Sequence, residues 1–201
     1  MATPEEITQH HGDLTPPGKS AFVEGKCPFT GIEIVEPDPQ WPSAYAALEE
    51  RIRGALGEAA LQIEHVGSTS VSVLPGKPII DIDLTVADSA DESAWLPALE
   101  AAGFELVVRE PWWQEHRCLR HEVPRCNLHV FSSDAAEPIR HRILRDWLRE
   151  HPEEVALYRE AKASSAAAAN ASGEHVMEYN ARKLPVIREI YDRAFRAAGF
   201  L

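Results

Sequence analysis

The seven residues from Ile80 to Val86, which read IDIDLTV, alternate strictly between apolar and polar side chains. A period of two is typical of a β-strand that buries one face. The polar face carries Asp81 and Asp83, which lie about 6.6 Å apart along such a strand. Because acidic residues are uncommon inside strands, two carboxylates between apolar neighbours indicate a binding site for a divalent cation, Mg²⁺ or Mn²⁺. The alternative is an edge strand that exposes both carboxylates to solvent.

A polar turn, Gly67-Ser68-Thr69-Ser70, comes shortly before this strand, with 12 residues between Ser68 and Asp81. Glycine permits close approach of the backbone, and successive N–H groups beside small hydroxyl residues can hold phosphate oxygens. A dozen residues suffice to return the chain on an adjacent strand, so the turn and the carboxylates are expected to share one cleft. The same residues are also common in ordinary loops.

The remaining pattern predicts an α+β fold in which strands are followed by a block of helices. Runs of apolar residues predict strands at 31–35, 61–66, 78–86, 104–110, 116–123 and 126–131. Apolar residues at helical spacing predict helices at 41–56, at 95–102 and from 135 to the end, with breaks near 170–173 and at Pro185.

Three parts of the chain follow from this order of elements. Residues 1–30 are expected to form an irregular arm, because proline is frequent there and lacks the N–H that regular structure uses. Residues 31–134 would form the core, and residues 135–201 a C-terminal helical subdomain.

The charge of the chain limits the classes of partner. Lys and Arg total 20 and Asp and Glu total 32, which gives a formal charge of −12. Bulk binding of nucleic acid or of a membrane surface favours a basic face, so neither is expected. No apolar run is long enough to cross a membrane, and the three cysteines lack CxxC spacing. We therefore expect a cytoplasmic protein with reduced thiols.

The segment around the two Asp residues resembles the GrpB family of the nucleotidyltransferase superfamily, whose members carry a run such as IEHIGSTSVPGLAAKPIIDIDV. The matching positions are Ile63, Glu64, His65, Gly67–Val71, Lys77–Asp81, Ile82 and Asp83. The resemblance extends over about residues 36–195 through Asp38-Pro39, Trp41-Pro42, Leu128–Val130, Arg145-Asp146, Leu148-Arg149, Tyr179 and Lys183. The chain departs from the family at Ser72-Val73 and Pro75-Gly76.

This resemblance implies a small mixed sheet flanked by helices and a two-metal site. Nucleotidyltransferases use two acidic residues and a third carboxylate on a later strand to hold two Mg²⁺ ions. Asp81 and Asp83 match the first two positions, whereas His129 in the strand CNLHVF best matches the third. An imidazole suits Mn²⁺ better than Mg²⁺, or it acts as a general base. The alternative is a histidine hydrogen-bonded within the core.

The basic residues Lys77, Arg145 and Lys183 complete the expected nucleotide site, together with Gly67–Ser70. The alternative for Lys77 is a solvated loop lysine, and for Lys183 it is packing beside Tyr179 four residues earlier. Arg145 lies in a basic stripe that would otherwise be interpreted as a solvated helix face, but it belongs to the pattern of the family that the chain resembles. The expected activity is metal-dependent transfer of a nucleotidyl group from ATP or another NTP to an unidentified small-molecule or protein acceptor. Activation of a carboxylate for amide formation is one form of it. The alternatives are a non-catalytic nucleotide- or metabolite-binding protein and metal-dependent hydrolysis.

Overall fold

A five-stranded mixed sheet forms the centre of the protein, in a computed structural model that describes residues 2–10 and 15–201. The strands are β1 (Gln62–Val66), β2 (Ile80–Val86), β3 (Glu105–Glu110), β4 (His116–Glu122) and β5 (Arg125–Ser132). Their order across the sheet is β1-β2-β5-β4-β3. β2 and β5 run parallel, and the other neighbouring pairs are antiparallel.

The register of the central strands places the predicted site residues side by side. Val66 at the end of β1 pairs with Asp81 on β2. On the other side of β2, Asp81 pairs with Asn127 and Asp83 pairs with His129 on β5. The turn after β1 and the polar face of two adjacent strands therefore meet at one end of the sheet.

Six α-helices surround this sheet in the described residues. They are α1 (Pro4–Thr8), α2 (Trp41–Leu56), α3 (Leu96–Ala101), α4 (Glu137–Glu150), α5 (Pro152–Ala171) and α6 (Val176–Ala197). One face of the sheet forms the largest apolar core with α2 and α3, where Leu48 and Ile52 pack in one cluster with Ile82, Leu84 and Leu128. This burial is the main driving force for the core, because removing apolar surface from water is favourable.

The opposite face of the sheet is polar and lies towards α4, α5 and α6. His141 on α4 contacts Asp83, and Lys162 on α5 contacts Ser68 in the turn after β1. The helices also have apolar clusters of their own, one of which joins Leu74 to Leu148 and Ile190. The predicted α+β class, a mixed sheet flanked by helices with a helical C-terminal part, is confirmed.

Two local predictions are wrong. Residues 31–35 form no strand, since Val35 makes only an isolated bridge with Gly76. Pro185 does not break the last helix but lies inside α6. Because Pro185 has no N–H, the carbonyl of Ala181 loses its helical hydrogen bond. Both residues are exposed, so water can donate to that carbonyl while the flanking residues stay packed. An additional break occurs at His151, which precedes a proline and has non-helical backbone angles, φ −125° and ψ 87°.

The N-terminal segment contains a short helix that packs against the C-terminal helices. Ile7 of α1 is buried in a cluster with Tyr191 and Phe195. Arg140 on α4 donates hydrogen bonds to the carbonyl oxygens of Ile7 and Gln9, the latter at 2.9 Å. The division at residues 30 and 134 stays a prediction, and residues 1 and 11–14 of the expected arm lie outside the described residues. Over the described part of the chain, no helix has the length and apolar character needed to cross a membrane.

Candidate functional site

A cavity of about 660 Å³ lies between the polar face of the sheet and helices α4, α5 and α6. Seven residues predicted from the sequence line it: Gly67, Ser68, Lys77, Asp81, His129, Arg145 and Lys183. They come from β2, β5, α4, α6 and the connection between β1 and β2. The fold therefore brings distant predicted residues to one concave surface of the size that small-molecule sites have.

Asp81 is the carboxylate at the centre of this cavity. Its Oδ1 accepts a hydrogen bond of 2.9 Å from Asn127 Nδ2, and the same oxygen lies 3.9 Å from His129 Nε2. Burial opposes ionisation, but His129, the charge of Lys77 and the bond from Asn127 together lower the pKa of Asp81 to about 2. The carboxylate is therefore ionised at neutral pH and available to a cation.

Gly67 brings the backbone of the turn directly against this carboxylate. Its φ of 65° lies in the left-handed region, and a Cβ at this position would stand 2.6 Å from Asp81 Oδ2. No other residue fits here without displacing the carboxylate, so glycine is required by both the conformation and the close approach. The turn and Asp81 consequently form one unit.

Only the first half of the turn reaches the cavity. The Thr69 and Ser70 side chains are buried, with the Thr69 hydroxyl 2.9 Å from His65 Nε2 and the Ser70 hydroxyl donating to the Gly67 carbonyl at 2.6 Å. Arg149 donates to the Ser70 carbonyl from α4. These contacts hold the shape of the turn, and the expected phosphate contacts of the two hydroxyls stay a prediction.

Three lysines reach one end of the cavity from separate elements: Lys77 before β2, Lys162 on α5 and Lys183 on α6. Their ammonium groups lie 5.1–5.9 Å from the ring centroids of Tyr158 and Tyr179. Such distances are typical of cation–π contacts. Three like charges in one place repel each other, so this lysine cluster (Lys77, Lys162 and Lys183) favours a polyanion.

Burial makes the protonation of the lysine cluster sensitive to a ligand. Burial lowers the pKa of Lys77 to about 8, although Asp81 acts in the opposite direction. Lys162 is 2% exposed and donates a hydrogen bond to Ser68 Oγ. Burial and the charge of Lys183 lower the pKa of Lys162 well below its ordinary value. An anion at this end would restore full charge to both groups.

A chain of hydrogen bonds runs from His129, which lies beside Asp81, to Glu110 at the other end of the cavity. Glu110 Oε2 lies 2.7 Å from His116 Nδ1, and His116 Nε2 lies 3.0 Å from His129 Nδ1. Burial lowers the pKa of His116 to about 4, so this ring is neutral. Burial acts in the same direction on His129, but the facing Cys118 and the carboxylate of Asp81 raise its pKa well above the ordinary value. His129 is therefore hydrogen-bonded to His116 and faces Asp81, and its role as a ligand or base stays a prediction.

Asp83 lies deeper than Asp81 and is 1% exposed. Its Oδ2 is 2.8 Å from His141 Nδ1, and His141 Nε2 is 3.4 Å from Glu137 Oε1. Against the effect of burial, these two carboxylates raise the pKa of His141. Asp83 Oδ1 has no hydrogen-bond partner among the described residues. A buried carboxylate oxygen without a partner is costly, and a cation would remove this cost.

Arg145 lines the cavity but already has partners. Its Nη1 donates to Glu64 Oε2 at 2.7 Å and to the His65 carbonyl at 3.0 Å, while Nε donates to Asp146. These bonds attach α4 to β1. The structure thus gives Arg145 a positioning role at the edge of the cavity, and its contact with a nucleotide stays a prediction.

Several side chains of the site were missed by sequence reasoning: Glu110, His116, Asn127, Glu137, His141 and Lys162. Lys162 carried a readable signal, because it lies on the α5 face that buries Tyr158, Ser165 and Ala166, where a lysine is unexpected. His116 and His141 carried none, since only the pairing of β4 with β5 and the docking of α4 bring them to the carboxylates.

The donor set fits a divalent ion only in part. No group of three or more His, Cys, Asp or Glu side chains is arranged to hold a metal ion in the described ranges. The orphaned Asp83 Oδ1 and the ionised Asp81 are nevertheless the hard oxygen ligands that Mg²⁺ and Mn²⁺ prefer. Such ions often bind through one or two carboxylates and complete their coordination with substrate phosphates.

Comparison with known proteins gives a consistent result. The profile of the family described as "GrpB protein" matches residues 31–193. A UPF0157 protein of Halalkalibacterium halodurans is 44% identical over 163 residues, which cover 81% of this chain and 82% of that protein. The crystal structure of conserved protein GrpB from Enterococcus faecalis superposes with a TM-score of 0.70 at 27% identity, covering 83% of this chain and 99% of that one.

Two further similarities are more limited. A segment of 76 residues, 35% of this chain, is 42% identical to part of a dephospho-CoA kinase of Mycobacterium tuberculosis and covers 18% of it. The structure of Cid1 in complex with its short product ApU matches with a TM-score of 0.47 and 14% identity, covering 74% of this chain and 46% of that one.

Proposed function

We propose that this chain, which belongs to the GrpB family, is a metal-dependent nucleotidyltransferase that acts on an NTP. The observation that carries the proposal is that one cavity contains an ionised carboxylate, Asp81, and the lysine cluster, of which Lys162 is buried, beside the Gly67-Ser68 turn. A polyphosphate with a bound cation has the complementary distribution of charge.

The lysine cluster and the turn are the proposed site for the phosphates of the nucleotide. Lys77, Lys162 and Lys183 would neutralise the phosphate oxygens, while the backbone N–H groups near Gly67 and Ser68 donate to them. Lys162 already donates to Ser68 Oγ. A phosphate oxygen would compete for this ammonium group and leave the Ser68 hydroxyl free to donate to the ligand as well.

Asp81 and Asp83 are the proposed ligands of Mg²⁺ or Mn²⁺. A divalent ion bound there would stabilise the charge that develops on the phosphate oxygens during transfer. His129, which lies beside Asp81 and is connected to Glu110 through His116, is either a further ligand or the base that accepts the proton of the attacking group. Because the pKa of His129 is raised, either role requires that the ring first loses a proton.

The other end of the cavity is the proposed place for the acceptor or the base of the nucleotide. It is lined by Trp112, Trp113 and Glu110 and offers aromatic surface for stacking. The acceptor is a small molecule or a protein side chain. In one form of the reaction, the acceptor group is a carboxylate that becomes activated for amide formation. Dephospho-CoA belongs among the candidates to be tested, because part of the chain is similar to part of a dephospho-CoA kinase.

A transfer assay with α-labelled ATP or GTP tests this function. The protein is incubated with Mg²⁺ or Mn²⁺ and a mixture of small-molecule acceptors, and the label and pyrophosphate are followed. We expect labelled acceptor and pyrophosphate with the parent, and at least about a hundredfold less with Asp81→Asn, because an interaction with the transition state is lost. Glu58→Gln, a change of an exposed acid that precedes β1 at the end away from the Gly67 turn, is the matched control and should retain the activity.

The alternative function is a nucleotide- or metabolite-binding protein without catalysis. The histidine at the third acidic position and the lack of a three-ligand metal cluster in the described residues favour it. The transfer assay separates the possibilities. Nucleotide binding without release of pyrophosphate in any acceptor mixture would support the binding protein, and release of free NMP without an acceptor would indicate hydrolysis.

A further inference from the structure

We propose that Arg120 and Arg125 form a second phosphate subsite beside the lysine cluster, at which the acceptor of the nucleotidyl group carries a phosphate. This inference rests on the proposed function for the presence of an acceptor, and it names the chemical class of that acceptor. It follows from the positions of two arginines on the polar face of the sheet.

Arg120 lies on this face in the same row as Asp81. Asp81 on β2 pairs with Asn127 on β5, and Asn127 pairs with Arg120 on β4. Paired residues project from the same face and adjacent strands lie about 4.8 Å apart, so the Cα atoms of Asp81 and Arg120 are about 10 Å apart. Arg125 is the diagonal neighbour of Arg120 on the same face, at about 7–8 Å. One phosphate group can therefore contact both of these long side chains.

Aromatic rings connect Arg120 to the lysine cluster. The ring centroids of Tyr158 and Tyr179 each lie 5.1–5.9 Å from two of the clustered ammonium groups. The series continues at Phe29, whose ring centroid lies 5.2 Å from Lys77 Nζ and 5.9 Å from Arg120 Cζ. The row of cations therefore extends beyond the lysine cluster, along the polar face of the sheet.

Within the described residues, neither arginine side chain has an acidic partner, although the chain carries a formal charge of −12. Glu105 lies opposite Arg120 on β3, but its carboxylate forms an ion pair with Lys26. Glu122 lies opposite Arg125 at the exposed end of β4 and makes no ion pair with it. Arg120 is half-buried, and a guanidinium in this position favours an anionic ligand. Two guanidinium groups match the charge of one phosphate.

The position of the subsite favours the acceptor over the nucleotide. Val66, directly before the Gly67 turn, pairs with Asp81 on one side, whereas Arg120 lies two strands away on the other side. Asp81 therefore lies between the turn proposed for the nucleotide phosphates and the two arginines. The aromatic end of the cavity is then left for the base of the nucleotide.

The chemistry of the transfer requires the same separation. An acceptor oxygen bonds to the α-phosphorus while the bond from this phosphorus to the bridging oxygen breaks and pyrophosphate leaves, and any proton on the acceptor oxygen passes to solvent. The attacking and leaving oxygens are roughly in line. The acceptor and the pyrophosphate therefore lie on opposite sides of the α-phosphorus.

Binding of inorganic phosphate to the ATP-saturated protein tests the subsite without catalytic activity. ATP in EDTA occupies the lysine cluster, and ³¹P NMR follows added phosphate for the parent, Arg120→Gln, Arg125→Gln and the control Arg51→Gln. We expect the phosphate affinity to fall at least about tenfold in Arg120→Gln, and less in the exposed Arg125→Gln, because charge-assisted hydrogen bonds are lost. Arg51 is an exposed arginine of α2, which packs on the opposite face of the sheet, so the same loss of charge there should leave the affinity unchanged.

Two further measurements exclude an indirect effect of the substitutions. The affinity for ATP alone should fall much less in Arg120→Gln than the affinity for phosphate, because salt screens charges about 10 Å apart. Arg120→Lys keeps the charge but loses the planar fork, so it should retain part of the phosphate affinity. Thermal melting checks that each variant is folded.

Equal phosphate affinity in the ATP-saturated parent, Arg120→Gln and Arg125→Gln would overturn the proposal, as would failure of phosphate to bind the folded parent. A loss of ATP affinity in Arg120→Gln as large as the loss of phosphate affinity would also contradict it, since the arginine would then hold the nucleotide.

These results are distinguishable from failure of the proposed function. Arg120-dependent binding of phosphate to a protein that binds no ATP contradicts only the nucleotidyltransferase. Nucleotidyl transfer that is unchanged in Arg120→Gln/Arg125→Gln contradicts only the acceptor subsite.

Discussion

The pH dependence of nucleotide binding provides the most quantitative prediction, through Lys77. Burial lowers the pKa of this lysine to about 8 in the free protein. A bound triphosphate provides opposite charge and is expected to return the pKa to at least the ordinary value of about 10.4. Lys77 is then charged in the complex over the whole range from pH 7 to 9, but loses its proton over that range in the free protein.

The sign and magnitude follow from linkage. Above pH 8 the free protein must take up a proton when the anion binds, so affinity falls as the pH rises. For a free pKa of about 8, Lys77 is about 90% charged at pH 7 and about 10% charged at pH 9, which weakens binding about tenfold. Lys162, whose pKa is also lowered, adds to the effect in the same direction.

Calorimetry of metal-free ATP binding measures this effect. Further ionisation of the ATP phosphates at high pH adds negative charge, so their own titration does not weaken binding there. At pH 8, titrations in two buffers of different ionisation enthalpy should show uptake of about half a proton or more. In Lys77→Arg the guanidinium stays charged. The affinity for ATP should therefore fall less between pH 7 and 9 than in the parent, by about the tenfold that Lys77 contributes.

Affinity that is constant or increases between pH 7 and 9 in the parent would refute this reasoning. The same slope in Lys77→Arg as in the parent, with both proteins folded by thermal melting, would show that Lys77 does not contact the phosphates. A slope that is lost in Lys77→Arg would instead confirm the assignment.

Three further substitutions have defined outcomes. Gly67→Ala should weaken metal-dependent ATP binding at least about tenfold and cost about 1–3 kcal/mol of unfolding free energy by urea titration, because the Cβ meets Asp81 and φ is 65°. Arg145→Met should cost about 2–4 kcal/mol in the same titration, since Glu64 and a backbone carbonyl lose a half-buried partner. Pro185→Ala should raise the melting temperature, because the exposed helical proline costs up to about 3 kcal/mol relative to alanine; an unchanged or lower value contradicts this.

Most of the sheet could be predicted from the sequence because apolar and polar residues alternate clearly along its strands. The predicted strands at 61–66, 78–86, 104–110, 116–123 and 126–131 differ from the observed ones by at most two residues at each end. The strand β2 was the most readable, since its buried apolar face and its two carboxylates have a period of two. The prediction at Pro185 failed because tertiary packing of α6 outweighs the local penalty of proline.

Only part of the candidate site could be predicted from the sequence, for a different reason. Gly67, Lys77 and Asp81 lie close in sequence, so their spacing sufficed to place them in one cleft. His116 and His141 depend on how β4 pairs with β5 and how α4 docks on the sheet, long-range properties that no local pattern encodes. The Thr69 and Ser70 hydroxyls are turned instead towards local partners, His65 and the Gly67 carbonyl.

The central claim is that a carboxylate-bound cation and the lysine cluster bind one polyphosphate together. Calorimetric titration of ATP with Mg²⁺ or Mn²⁺, and in EDTA, tests it most directly when the parent is compared with Asp81→Asn/Asp83→Asn. We expect metal to tighten ATP binding at least about tenfold in the parent and to have no such effect in the double variant. ATP binding that is independent of metal and unchanged in the double variant would contradict the claim.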